Sequence, residues 1–266
     1  MICAIPDNIK VLPAINSNFT HHISAGLADG SSIAGQVAIS HPSAPTSLPD
    51  DALVAPALTA ADHDRIEDAN LPGSLPILRR QHITFSKEDE EDLPARIERL
   101  WYINPYGHEI WPVVNPKVLD GLHASRTVIY SIGSLYTSIL PSVVLRGVGP
   151  AVADPNVRHR ILILNSKLDR ETGPSAAPMT ARDFVAAVAR AGAESWAPGA
   201  VGGEEQLRRY VSHVVYLEGP GTPRMDVPAL ERAGIVCVTV EGRRTGSSLK
   251  YDEAALEKAL EDIMDS

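Results

Sequence analysis

The chain has little cysteine: two residues, Cys3 and Cys237, in 266. They lie too far apart for the spacing of a metal-ligand or redox pair, which argues against a disulfide framework and fits a reducing compartment. It is also short of positive charge. Lys and Arg total 24 against 33 Asp and Glu, for a formal net charge of −9. A general nucleic-acid binder needs a concentrated basic surface, so the charge argues against that class, whereas a small phosphorylated ligand needs only a local pocket. Aromatic residues make up 5 %, so the core must be built mainly from Val, Ile, Leu and Ala. No window of about 18 apolar residues occurs, so no membrane span is expected. The opening MICAIPDNIKV lacks a basic stretch followed by a long apolar run, so no signal peptide is read there. The expectation is therefore a cytoplasmic location.

Several reaction signatures are missing as well. There is no G-x-G-x-x-G after a strand, no G-x-x-x-x-G-K-[ST] and no H-E-x-x-H. Ser134 sits in Gly-Ser-Leu-Tyr-Thr, without the second glycine of a nucleophile elbow, which argues against a serine hydrolase.

What is present reads as an α/β protein. KVLPAI (10–15) predicts a short strand. Residues 19–40 predict a hairpin about the Asp29-Gly30 turn, because the flanks alternate apolar with polar. Residues 42–76 are rich in Pro, Ser, Ala and Asp and read as a loop or disordered insertion. HITF (82–85) suggests a strand, KEDEEDLPARIERL a partly helical charged segment, and LWYINP (100–105) a strand. Asn115-Pro116 opens a helix. The strands then read TVIYSI (127–132), RILILN (160–165), HVVYLE (213–218) and IVCVTVE (235–241). Between and after them come helices at 135–146, broken near Pro141, at 180–192, at 226–234 and at 252–264. Thr180 and Asp183 form a capping pattern, and Gly192 a stop. Alternation of strand and helix predicts a mostly parallel sheet covered on both faces.

In such sheets ligands lie outside the carboxyl ends of the strands. Two strand ends are polar. The first carries Ser131, Gly133 and Ser134, followed by Thr137 and Ser138. Glycine lets backbone approach a ligand, and a helix start offers unpaired N–H groups to phosphate. The other reading is a capped helix start, with Ser134 as the cap and no ligand. The second strand end is Asn165, whose amide can read a base or sugar edge or simply form an Asx-turn. Further upstream, His21, His22 and His41 have loose spacing. Adjacent strand histidines point to opposite faces, so half-buried, hydrogen-bonded rings are expected rather than a metal site or an acid–base pair.

The stretches "NPKVLDGLHASRTVIYSIGSLYTSILPSVVLRGVGPAV" and "LNSKLDRETGPSAAPMTARDFVAAV" resemble the 2-phospho-L-lactate transferase / gluconeogenesis-factor family (CofD-like, UPF0052). "VLPAINSNFTHHISAGLADGSSIAGQVAISHPS" is similar to that family's middle segment, in its fungal-type wording. The resemblance implies a Rossmann-like three-layer α/β/α fold with a β-hairpin insertion. It implies one domain made of a middle segment (1–45), a loop (46–78) and a C-terminal α/β part (79–266). Some family members transfer a phospholactyl-type group from a nucleoside diphosphate to a deazaflavin alcohol with a divalent metal. Others bind nucleotide sugars and regulate carbon and cell-wall metabolism. By resemblance, Ser131, Gly133, Ser134, Thr137, Ser138 and Asn165 line the cleft for a nucleoside diphosphate or nucleotide sugar. Mg²⁺ is implied too, although no ligand for it is identified in this chain, and so is a homodimer. The family's opening Gly-Gly-Thr-Gly loop has no counterpart, so the expectation is a C-terminal part with strands missing from its sheet and a tendency to associate.

Overall fold

The computed structural model describes residues 9–40, 73–75, 78, 92–200, 203–246 and 248–266. The first chain segment forms an antiparallel hairpin, β1 (His22–Leu27) and β2 (Ser32–Ala34), followed by a short helix α1 (Gln36–Ser40). The turn is fixed by Asp29, whose carboxylate accepts the Ser31 amide at 2.9 Å, with Gly30 at φ 86°. Strand β3 (Ile97–Ile103) adds to β1, and β4 (Glu109–Ile110) to β3, giving the order β2-β1-β3-β4.

This antiparallel sheet revises several expectations. KVLPAI is not a strand; its carbonyls at Pro13 and Ala14 accept from the Asn115 side chain and amide. The hairpin ends at Ala34, where Gly35 turns the chain into α1. The charged stretch before Leu100 is strand, not helix, from Ile97 onward. Its arginines are tertiary clamps. Arg96 meets Asp183, and Arg99 meets Glu109 and Glu194. Most of the 42–76 insertion and all of HITF lie outside the described residues.

Helix α2 (Pro116–Ala124) begins as the sequence predicts, with the Asn115 side chain accepting the Lys117 amide. From there β5 (Thr127–Tyr130), β6 (His159–Ile163), β7 (His213–Tyr216) and β8 (Val236–Thr239) form a parallel sheet in that order. The central strands β6 and β7 are almost wholly buried, as continuous apolar strands covered on both faces should be. On one face, Ile161, Ile163 and Val215 pack on Leu256, Leu260 and Ile263 of α8 (Glu253–Met264). On the other face, Leu162 and Val214 join the main core with Phe184, Val185 and Val188 of α5 (Ala181–Glu194). Each such fully buried side chain contributes about 1.5–3 kcal/mol relative to exposure. The edge strands are less covered, with Ile129 40 % and Val236 51 % exposed.

Helix α5 is capped as read, by reciprocal Thr180 and Asp183 contacts, but it runs past Gly192 to Glu194. Gly192 is not a stop. A Cβ there would lie 2.4 Å from the Tyr210 ring, so the glycine lets α6 (Leu207–Tyr210) press onto α5. The expected 135–146 helix is a π-helical turn (Leu135–Ile139) leading into α3 (Leu140–Val143), with Pro141 in the first turn of α3. Another short helix, α4 (Val148–Val152), follows. Helix α7 (Val227–Arg232) is capped by Asp226 and α8 by Asp252. A second hairpin, β9 (Gly242–Thr245) and β10 (Ser248–Tyr251), lies between β8 and α8. The antiparallel sheet sits outside α3 and α5. Tyr102 Oη donates to the Pro141 carbonyl at 3.0 Å, and Tyr136 Oη to the Ile97 carbonyl at 2.8 Å.

Candidate functional site

Strand β5 delivers the chain to the polar loop at its carboxyl end. The Gly133 amide donates to the Ser131 carbonyl at 2.9 Å, which closes a tight turn. A Cβ on Gly133 would lie 2.6 Å from Ser138 Cβ, so glycine is required for the loop to fold back on itself. Ser134 takes the cap position of the π-helical turn, yet its hydroxyl makes no capping bond. The cap reading of Ser134 therefore does not hold. The hydroxyls of Ser131 and Ser138 are exposed. Asn165, just past β6, donates from Nδ2 to the Gly133 carbonyl at 3.3 Å. The structure thus brings Ser131, Gly133, Ser134, Thr137, Ser138 and Asn165 to one end of neighbouring strands.

The turn's opening N–H groups do have an acceptor, and the sequence pattern did not reveal it. Glu171 Oε2 accepts from the Tyr136 and Thr137 amides, each at 3.0 Å. Glu171 Oε1 accepts from Thr137 Oγ1 at 2.5 Å. Glu171 rides on a 3-10 turn (Arg170–Thr172) whose entry is fixed by a reciprocal Asp169–Thr172 capping box. The Arg170 guanidinium donates to the Ala38 and Ile39 carbonyls at 3.0 and 2.5 Å, which anchors that turn to α1. A contact across 34 residues leaves no periodic signal in the sequence. Burial pushes the Glu171 carboxyl up to about 7, against the opposing pull of its Thr137 hydrogen bond.

Beside this turn is an open cleft of about 350 Å³ lined by Asp92, Lys167, Asp169, Thr172, Gly173 and Ser175. None of the six residues singled out at the strand ends lines it; Glu171 and its neighbours connect the two. Among the described residues, no three His, Cys, Asp or Glu side chains come together to hold a metal ion. Glu171 already accepts three hydrogen bonds, and Asp169 caps its own turn. The described residues therefore do not fit the divalent metal the resemblance implies, and no step is assigned through it. The histidines expected to be hydrogen-bonded differ: His22 Nε2 is buried without a partner among the described residues. His21 Nδ1 contacts the Phe19 carbonyl at 2.7 Å, and burial lowers the pKa of His22. His41 lies outside the described residues. No helix among the described residues is long and apolar enough to cross a membrane.

A parallel α/β sheet with a glycine-hydroxyl loop at its carboxyl end defines a Rossmann-like protein whose polar groups gather where such folds take ligands. Residues 2–241 match the model of the family described as 2-phospho-L-lactate transferase CofD, and the chain belongs to that family. An uncharacterized protein of Saccharomyces cerevisiae is 34 % identical over 277 residues, covering 96 % of this chain and 61 % of its own length. Among solved structures, a Bacillus halodurans protein matches with a TM-score of 0.58 at 14 % identity, over 94 % of this chain and 61 % of that one. A second crystal structure from that organism, described as a UPF0052 family member, matches with a TM-score of 0.55 at 14 % identity, over 91 % and 59 %. At that identity the likeness concerns the fold. The chain spans about three-fifths of the length of these relatives.

Proposed function

We propose that the Ser131–Ser138 loop and Asn165 form one wall of a site for a nucleoside-diphosphate-linked ligand in a 2-phospho-L-lactate transferase-like protein. The observation that carries this reading is the free Ser134 hydroxyl at the head of the turn, flanked by the exposed hydroxyls of Ser131 and Ser138. Hydroxyls so placed donate to phosphate oxygens without adding fixed charge, and Asn165 Oδ1 offers an acceptor beside them. Transfer of a phospholactyl-type group is proposed for the whole protein. A regulator that binds a nucleotide sugar without turnover would use the same wall.

Calorimetric titration with uridine diphosphate tests the site. Ser134→Ala combined with Ser138→Ala should weaken binding while leaving every contact to Glu171 in place. Unchanged affinity would remove the loop from the site. Turnover of a nucleotide-linked donor that requires Mg²⁺, measured on the protein from its native source, supports the transferase. Binding without turnover supports the regulator.

A further inference from the structure

Glu171 is the one buried carboxylate that fills the head of the candidate loop. It is 1 % exposed, yet it forms no salt bridge among the described residues. Its three hydrogen bonds are all to the loop: two backbone amides and the Thr137 hydroxyl. Those are donors of the kind that a ligand's phosphate would otherwise draw on. A carboxylate there sits in the position of an internal anion.

Among the described residues the charges around it are few. Asp169, on the same turn, disfavours its ionisation. The Arg170 guanidinium is turned away to the α1 carbonyls. Helix α1, Gln36–Ser40, packs near this turn and contains no titratable residue. The π-helical turn brings Tyr136, whose hydroxyl donates to the Ile97 carbonyl instead. Nothing described here neutralises the carboxylate when it ionises.

We propose that Glu171 is the positioning residue of the loop and gates it by its proton: neutral, it holds the turn and admits a ligand phosphate; ionised, it holds the turn and opposes one. This rests on the loop being a wall of the ligand site. The neutral acid can keep all three contacts, because Oε2 still accepts both amides while the proton lies between Oε1 and Thr137 Oγ1. Ionisation places a negative charge in a buried setting next to the hydroxyls that would meet the phosphate, where repulsion is poorly screened.

The test compares the 266-residue chain with its Glu171→Gln variant. Glutamine preserves the acceptor for the amides and a donor for Thr137, and it removes the titration. Uridine diphosphate and inorganic pyrophosphate are titrated calorimetrically at about pH 6 and about pH 8. The ligands' own ionisation is common to both proteins, so the ratio of their Kd values reads Glu171. That ratio, wild type over variant, should rise about tenfold between the two pH values, one unit of coupled pKa. In parallel, the Tyr136 and Thr137 amide resonances of the ligand-free protein should titrate with one midpoint near neutrality, and the variant's should not. A constant Kd ratio overturns the gating. Flat amide resonances in the wild type overturn the positioning by a titrating carboxyl. If neither probe binds at either pH, the site reading and the gating fall together, and the amide titration alone decides the positioning role.

Discussion

The parallel sheet has two polar ends, and they treat their polar groups differently. At the amino end, Ser212 Oγ accepts the Arg160 amide at 2.8 Å and contacts His213 Nδ1 at 2.8 Å. The Arg160 guanidinium donates to the Val152 and Asp154 carbonyls at 2.8 and 3.0 Å. The His159 ring lies 5.6 Å from that of His213, tilted by 53°, and its Nδ1 is a buried exception without a partner among the described residues. At the carboxyl end, the Ser134 hydroxyl leaves its own cap unmade, while a carboxylate from another turn takes the N–H groups. Polar residues that satisfy one another serve the fold; polar residues left open beside an internally satisfied scaffold are available to a ligand. Serine content alone would not separate the two ends.

The largest effect should come from breaking the scaffold both ends share. A Cβ at Gly149 would lie 1.9 Å from the Gly192 carbonyl, backbone against backbone where α4 crosses α5. Gly149→Ala should lose about 3 kcal/mol or more, read as a collapse in thermal unfolding or in soluble yield. The same methyl at Gly133 would lie 2.6 Å from Ser138 Cβ, so the loop must shift there, but Ser131, Ile132 and Ser138 around it are exposed rather than packed between helices. Gly133→Ala should cost about 1 kcal/mol of stability and a much larger share of ligand affinity. Equal losses of stability at the two glycines would erase the distinction between scaffold and site.

Next in size is the pH dependence of stability, where the two ends pull in opposite directions. Burial raises the Glu171 carboxyl from its ordinary 4.5 to about 7. Its contribution is therefore full below about 4.5 and is lost as pH rises through about 7, for something on the order of 3 kcal/mol. His213 is the reverse case, its pKa lowered by burial and by His159. Its neutral ring contributes above the unfolded value near 6.5, and that contribution is lost as pH falls. Denaturant melts of Glu171→Gln should show a variant more stable than wild type at pH 8 and no more stable at pH 4.5. His213→Asn should steepen the wild-type decline between those values. If both variants kept the wild-type slope, neither end would titrate on folding.

Much of this arrangement was legible in the sequence where local physics decides. The runs RILI and HVVY could only be buried strands, and Thr180, Asp226 and Asp252 announced their helices by side chains that accept the third amide on. Gly133 and the hydroxyls at 131–138 were readable as a strand-end loop for the same reason. What failed was decided at a distance. The KEDEEDLPARIERL segment read as partly helical, whereas Arg96 and Arg99 meet Asp183 and Glu194 across about 90 residues. Gly192 resembled a stop until Tyr210 packed on it. The β9–β10 hairpin went unread although Gly246, at φ 63°, lies at its turn and was a usable signal. Glu171 belongs with the distant group: no spacing rule joins it to Tyr136 and Thr137.

Single hydroxyls should then separate the ends cleanly. Ser212→Ala leaves the Arg160 amide without its acceptor and should cost about 1 kcal/mol of stability with no change in uridine diphosphate affinity. Ser134→Ala removes no bond within the fold. It should leave stability unchanged and weaken binding by about 1–2 kcal/mol, the size of a hydrogen bond to a charged group. Crossed results, with Ser134 costing stability and Ser212 costing affinity, would place the site at the wrong end.

The smallest effect concerns Asn165, which the sequence left between a turn former and a ligand reader. Its Nδ2 donates to the Gly133 carbonyl at 3.3 Å, a long bond that ties the end of β6 to the loop. Asn165→Ala should therefore cost only about 0.5 kcal/mol of stability. Asn165→Asp is the sharper variant. It keeps an acceptor and replaces the amide donor with a negative charge facing a carbonyl and the incoming phosphate. If Asn165 merely ties the loop, the two variants should bind uridine diphosphate alike. If its Oδ1 faces the ligand, the aspartate should bind several-fold more weakly than the alanine, and the gap should shrink in high salt as the added charge is screened.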